Sequence, residues 1–141
     1  PASRGAYQAL FRERRIDKQY EALAPPLPDR GFPLRRCSRI ERGTPFFRMH
    51  ETAGEANSET GIDVVERGVD VWRYALSPVT GRKHQLRVHM LSIGHPLLGD
   101  RLYAHEQALA AHERLCLHAS LLALTHPQTG ERLRFECPAP F

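Results

Sequence analysis

The chain has 141 residues, a formal net charge of +4 and a pI near 9.3, and 41% of its residues are hydrophobic. This length allows at most one domain with a real core, and the composition is typical of a soluble fold. No apolar run approaches the roughly 20 residues that a membrane helix needs. The three cysteines, Cys37, Cys116 and Cys137, show neither zinc spacing nor an even disulfide framework, which indicates reduced thiols.

The first half of the chain predicts one helix followed by short strands and loops. Tyr7, Leu10 and Phe11 fall at i, i+3 and i+4, which predicts a short helix over 3–15. Four prolines make 25–33 a loop. The remaining expectations are a strand over 16–23 carrying Tyr20, two short strands within 37–51, and a polar, mobile connection over 54–61.

The second half is dominated by two hairpin patterns. Segments 62–66 and 69–76 flank an Arg67-Gly68 turn, and 117–125 and 133–137 flank a turn at 127–130. Between them we expect a helix over 83–93 and a short Ala-rich helix over 105–114. The pattern predicts an α+β fold, with a mixed, mainly antiparallel sheet and a few helices.

The predicted helix over 83–93 is apolar on two sides. At about 100° per residue, Leu86, Met90 and Ile93 line one face, and Val88 and Leu91 lie roughly opposite. Such a helix is largely buried. Arg87 sits between the two faces, and a buried guanidinium is costly unless a carboxylate pairs with it. We therefore expect an acidic partner for Arg87.

The ends of this helix are also readable. Thr80 fits the N-cap, and Gly94 fits the left-handed position after the last turn. Arg82 and Lys83 at the helix N-terminus oppose the helix dipole, which prefers negative charge there. A bound phosphate would explain this conflict, and so would a solvated charged end. Both readings stay open on spacing alone.

Several blocks of the sequence carry a resemblance. Segment 81–89 reads Gly-Arg-Lys-His-Gln-Leu-Arg-Val-His, and 94–100 reads Gly-His-Pro-Leu-Leu-Gly-Asp. Leu117-His-Ala119 and Thr125-His-Pro127 follow, and a Lys-x-Tyr segment, Lys18 to Tyr20, precedes them. In order and spacing these blocks resemble the C-terminal motifs of the RluA family of RNA pseudouridine synthases, over nearly the whole chain. The ending at 137–141 resembles that of the short, RluA-like members.

One family motif is absent from the chain. The nucleophilic aspartate of the family lies in a His-Arg-Leu-Asp motif upstream of the Lys-x-Tyr segment, and no such motif occurs here. The resemblance implies that 1–141 is the C-terminal portion of a single pseudouridine synthase catalytic domain. Its partner would be the N-terminal part of the same protein, which carries that aspartate, and the aspartate would then be the acidic partner of Arg87.

The resemblance implies an enzyme that isomerises specific uridines to pseudouridine in structured RNA, either ribosomal RNA, transfer RNA or both. It implies no cofactor, no metal and a cytoplasmic location, and this chain alone would be inactive. The basic charge suits RNA without establishing it. The alternative is an RNA-binding module without catalysis. A third reading, an interaction domain with merely solvated basic residues, fits the specific 80–103 block less well.

The resemblance also assigns roles to individual residues. Tyr20, by base rate a core aromatic, would stack on the unstacked target base, with a part in removing the C5 proton left open. Arg87, otherwise an ordinary ion-paired arginine, would orient the nucleophilic carboxylate and keep it ionised. Arg82, Lys83 and His84 would bind RNA. We expect supporting roles for the other prominent side chains. Lys18 would support the sheet or contact a phosphate, Asp100 would be structural, and Trp72 and Tyr103 would pack.

Overall fold

The computed structural model describes residues 17–43, 48–103, 114–126 and 128–141. The helix expected over 3–15 and nearly all of the one over 105–114 lie outside the described residues. The described elements are seven strands and one helix: β1 (Asp17–Ala24), β2 (Leu34–Arg42), β3 (Met49–Thr52), β4 (Ser58–Arg67), β5 (Trp72–Pro78), α1 (Gln85–Ile93), β6 (Leu117–Thr125) and β7 (Arg132–Glu136).

The strands form one sheet in the order β3-β2-β4-β5-β1-β6-β7. Every pairing between the described strands is antiparallel, which confirms the α+β expectation and narrows the predicted mixed sheet to an antiparallel one. Both predicted hairpins form, as β4–β5 and β6–β7. The strand expected over 16–23 is β1, and the two expected within 37–51 are β2 and β3.

The polar connection expected over 54–61 is wrong in its second half. Ser58 and Thr60 lie in β4, where they are 3% and 0% exposed. Polarity suggested a surface loop, but these hydroxyls lie in a buried hydrogen-bonded network with His89 of α1. Buried polar groups of this kind are stable where each finds a partner.

One face of the sheet packs against α1. Alternate residues of the central strands are buried on that face, as the two-residue period of a strand requires. Their main partners on the helix are Leu86, Met90 and Ile93. Val88 packs on a separate cluster with Ile40 and Tyr103, while Leu91 is 37% exposed. The helix is therefore buried on two sides, as predicted, except at Leu91.

The predicted ends of the helix need correction. Its N-cap is His84 and not Thr80, whose hydroxyl accepts from the Glu59 N–H at 3.0 Å and bonds to the Gln85 side chain. Gly94 follows the last turn but has φ 164°, which is extended and not left-handed. A Cβ there would meet the Leu27 side chain at 2.4 Å, so close packing favours glycine. No described helix has the length and apolar character to cross a membrane.

The segment after the helix is fastened to the sheet. The Leu98 N–H donates to the Leu23 carbonyl at 2.9 Å, and the Leu98 carbonyl accepts from the Cys116 N–H at 2.9 Å. Gly99 therefore passes close to the backbone before Cys116, with φ +76°. This close approach fixes the position of Asp100, the next residue.

Candidate functional site

Tyr20 lies in the wall of a pocket at the N-terminal end of the helix. The pocket has a volume of about 370 Å³, and Lys18, Arg82, His84, Arg87 and Leu117 also line it. Tyr20 is half-buried on β1, opposite Leu76 of β5. The β1–β6 register shifts between Gln19 and Tyr20. Such bulges bend a strand and redirect its side chains. This one lies directly before Tyr20, a residue of the pocket wall.

Lys18 lies two residues before Tyr20, and both line the pocket. Its Nζ would be 3.6 Å from a Cβ placed on Gly81, so the ammonium group lies against the loop before α1. Burial lowers the pKa of Lys18 from its usual value. The structure thus brings Lys18 to the candidate site, which is compatible with the phosphate-contact reading.

Gln85 fastens the loop that carries the predicted RNA-binding residues. Its Oε1 accepts from the Thr80 hydroxyl and from the Arg82 N–H at 3.1 Å. Its Nε2 donates to the Glu59 carbonyl at 2.9 Å and to the Thr60 hydroxyl at 2.8 Å. Gln85 is only 4% exposed, so all four bonds lie in a poorly solvated region. They hold the 80–84 loop against β4.

The three predicted RNA-binding residues occupy different positions on this loop. Arg82 is exposed, and its Nε donates to the Asn57 carbonyl at 3.1 Å. Lys83 is exposed. His84 lines the pocket, and its Nδ1 lies 2.8 Å from the Tyr103 hydroxyl. Burial lowers the pKa of His84, and the charges of Arg87 and Lys83 lower it further.

Arg87 finds its acidic partner within the chain. Its Nε and Nη2 donate to the two carboxylate oxygens of Asp100 at 3.0 and 2.6 Å. The side chains are 16% and 0% exposed. Two of the three guanidinium nitrogens are therefore occupied by Asp100, an acidic partner within the chain, and the expected contact with an aspartate outside the chain stays a prediction. The remaining nitrogen, Nη1, is not used by this pair.

Asp100 also organises the turn that carries it. Its Oδ1 accepts from the backbone N–H groups of Leu102 and Tyr103, at 3.1 and 3.2 Å. This agrees with the structural role expected for Asp100. The ion pair fixes Arg87 in the pocket wall, near Tyr20.

The buried polar network of Gln85 continues through the Thr60 hydroxyl to His89. Its Nδ1 lies 2.7 Å from the Thr60 hydroxyl, and its Nε2 lies 3.0 Å from the hydroxyls of Ser38 and Ser58. Burial lowers the pKa of His89 to about 4, although Glu51 acts in the opposite direction. His89 is therefore neutral at pH 7, and its hydrogen bonds link α1 to β2 and β4. Among the described residues, no group of three or more His, Cys, Asp or Glu side chains is arranged to hold a metal.

The structure brings four of the five predicted site residues to one pocket: Tyr20, Arg82, His84 and Arg87. Lys83 lies on the adjoining surface. Sequence reasoning missed Gln85 and underestimated Tyr103. The sequence held no local signal for the burial of Gln85, which stands between the basic run 82–84 and Leu86. Nothing local in the sequence connected Tyr103 with His84, which is 19 positions away.

Comparison with known proteins assigns the family. Residues 1–92 match the family model described as RNA pseudouridylate synthase. The chain belongs to the RNA pseudouridine synthase family. It is similar to the dual-specificity RNA pseudouridine synthase RluA of Escherichia coli K12, with 46% identity over 138 residues, covering 93% of this chain and 61% of that protein. The corresponding protein of Pasteurella multocida is 40% identical over 144 residues, with the same coverage.

Two solved structures have a similar fold. Human RNA pseudouridylate synthase domain containing 1 has a TM-score of 0.83 at 31% identity, covering 99% of this chain and 61% of that one. Human RNA pseudouridylate synthase domain containing 4 has a TM-score of 0.73 at 27% identity, covering 94% and 61%. The chain thus spans about three fifths of the length of the relatives that it matches.

Proposed function

We propose that this chain is part of an enzyme that isomerises uridine to pseudouridine in structured RNA. The observation that carries the proposal is the shared pocket, in which an aromatic ring, Tyr20, faces a loop rich in cations. Membership of the RNA pseudouridylate synthase family supports the same reaction. The reaction frees uracil from its N-glycosidic bond, reorients it and rejoins it through C5. Ribosomal RNA and transfer RNA are the proposed substrates.

The pocket suits a uridine that has left the RNA stack. Flipping a base out of folded RNA costs a few kcal/mol, and stacking on an aromatic face recovers part of that cost. Tyr20 offers such a face beside the apolar Leu117. Arg82 and Lys83 are exposed cations next to the pocket, where phosphate contacts would position the RNA without reading its sequence.

The nucleophile is the part of the reaction that the described pocket does not supply. No carboxylate is among the described residues that line it, and Asp100 is already paired with Arg87. We propose that the aspartate comes from the N-terminal part of the same protein. The unused Nη1 of Arg87 would then hold that carboxylate and favour its ionised form, since a nearby cation lowers a carboxylate pKa.

An RNA-binding module without catalysis is the alternative. The absence of a carboxylate from the described part of the pocket wall favours it for the 141-residue chain taken by itself. For the full-length protein we propose catalysis. No step of the reaction as proposed requires a redox or nucleotide cofactor, and we propose that it takes place in the cytoplasm.

The test is release of tritium from 5-tritiated uridine in structured RNA. We expect release by the full-length protein and none by residues 1–141 alone. Tyr20→Phe keeps the stacking ring and removes the hydroxyl, whereas Tyr20→Ala removes both. Loss of turnover only in the alanine variant would assign stacking to Tyr20, and loss in both would add proton transfer. A full-length protein that binds RNA but releases no tritium would support the binding module instead.

A further inference from the structure

Tyr103 joins three segments of the chain next to His84, one of the residues that line the pocket. Its hydroxyl oxygen accepts a hydrogen bond from the Met49 N–H at 2.8 Å and lies 2.8 Å from Nδ1 of His84. The guanidinium carbons of Arg48 and Arg87 each lie 5.2 Å from the centroid of its ring. One phenol therefore contacts the start of β3, the loop before α1 and α1 itself.

The bonds of this phenol determine which nitrogen of His84 carries hydrogen. A phenol has one hydrogen to donate and can accept hydrogen bonds on its oxygen. Because the Met49 N–H already donates to that oxygen, every group is satisfied when the Tyr103 hydroxyl donates to an unprotonated Nδ1. A neutral His84 then carries its hydrogen on Nε2, at the other end of the ring. Among the described residues nothing accepts from Nε2.

The backbone conformation of His84 indicates a functional role for its side chain. With φ 56°, His84 is the only non-glycine residue in the left-handed region within the described part of the chain. This conformation costs an L-residue roughly 1–2 kcal/mol, and glycine adopts it freely. Strained residues of this kind cluster at functional sites. A histidine in this position therefore points to a function for the imidazole.

We propose that His84 binds an oxygen atom of the RNA as a neutral Nε2–H donor, that Tyr103 positions it in this form, and that Arg48, held on the same ring, contacts a phosphate. The inference rests on the proposed RNA substrate. The charged groups around His84 are Lys83 beside it, Arg87 of α1 and Asp100 after α1. Burial lowers the pKa of His84, the charges of Arg87 and Lys83 lower it further, and Asp100 acts in the opposite direction. The net lowering of this pKa favours the neutral ring.

Arg48 extends the contact surface beyond the loop of α1. Stacking on Tyr103 limits the freedom of its guanidinium, and the N–H groups of a stacked guanidinium point outward in its plane, as phosphate recognition requires. Arg48 lies outside every block that carries the family resemblance. Its proposed role follows from its place on the ring that also holds His84.

The first test uses Tyr103→Phe in the full-length protein, which removes the hydroxyl and keeps the ring. We expect the KM for RNA to rise about 2- to 10-fold, as for one lost hydrogen bond, with kcat within about 2-fold. Nitrogen-15 NMR of the histidines should find Nδ1 of His84 unprotonated in the wild type. In the variant the pKa of His84 should rise, because the bond that favours the neutral ring is lost.

The matched control is Tyr74→Phe. Its hydroxyl donates to the Pro25 carbonyl at 2.8 Å, in the core. Tyr74→Phe should reduce stability without changing the KM or the pKa of His84. His84→Ala should raise the KM as much as Tyr103→Phe does, and the double variant should add little, because both remove one contact.

The Arg48 part is tested by the salt dependence of RNA binding. Arg48→Gln should lower the log–log slope by about 0.7–0.9, the value for one phosphate contact, whereas Arg30→Gln, on an exposed loop, should not. Three results would overturn the inference while RNA activity is intact. They are a hydrogen on Nδ1 of His84, a Tyr103→Phe variant that behaves like Tyr74→Phe, and an unchanged salt slope for Arg48→Gln. A wild-type protein without RNA activity would overturn the proposed function itself.

Discussion

Asp100→Asn removes one charge from a buried ion pair and should destabilise the protein strongly. Asp100 is fully buried and accepts two hydrogen bonds from Arg87 and two from backbone N–H groups. An asparagine turns an N–H group toward a guanidinium that can only donate. Removing one partner of a buried pair costs about 3–5 kcal/mol. Because Arg87 is 16% exposed and can recover some hydration, we expect the lower end, about 3 kcal/mol.

The matched control is Asp17→Asn. Asp17 accepts from Arg132 at 2.7 Å, between the two distances of the Arg87–Asp100 pair, but the side chains are 73% and 54% exposed. Exposed pairs contribute about 0–1 kcal/mol. Urea denaturation of both variants in the full-length protein measures the difference directly. An Asp100→Asn loss no larger than that of Asp17→Asn would refute the view that burial makes this ion pair important.

Three further predictions concern acid stability, packing and RNA affinity. The pKa of His89 is lowered to about 4 in the folded protein. As the pH falls, the unfolded chain therefore protonates His89 first, and the free energy of unfolding should drop by about 3 kcal/mol between pH 6.5 and 4. His89→Gln should flatten that decline in denaturation curves. Gly99→Ala should cost several kcal/mol more than Gly130→Ala by the same measurement, because both have φ near +75° but only Gly99 would place a Cβ 2.0 Å from a backbone oxygen. Lys83→Glu should weaken binding to all RNA sequences alike, and Arg30→Glu should not.

The fold was predictable where an element is determined by the residue pattern within its own segment. The two segments 117–125 and 133–137 around a turn at 127–130 predicted the β6–β7 hairpin, and the apolar stripes predicted the buried α1. Prediction failed at 58–61, where the polar residues belong to β4. Hydroxyls there bond to His89, about 30 positions later. A pattern read within a short window cannot contain such a contact.

The residues of the candidate site that belong to local motifs were predictable, but their long-range contacts were not. Tyr20, Arg82, His84 and Arg87, which the resemblance singled out, all line one pocket. The need of Arg87 for a carboxylate was correctly inferred from its place between two apolar faces, but the sequence did not identify Asp100 as the carboxylate within the chain. Asp100 lies beyond the end of α1 in the sequence, but the backbone bonds of Leu98 return the chain to the sheet and bring Asp100 within hydrogen-bonding distance of Arg87.

The pairing with Asp100 changes what Arg87 can contribute to the site. A guanidinium in contact with a carboxylate carries little net charge at a distance, so Arg87 adds little to the attraction of RNA. What remains is geometry: two nitrogens are fixed on Asp100, which holds the side chain of Arg87 in the pocket wall that Tyr20 also lines. The attraction must then come from cations without a carboxylate at contact distance, and Arg82, bonded to a neutral carbonyl, is one of them within the described part of the chain. Arg82→Gln should therefore weaken RNA binding with a smaller salt slope. Arg87→Lys keeps the positive charge but loses the two parallel hydrogen bonds to Asp100. It should therefore reduce turnover and leave that slope unchanged.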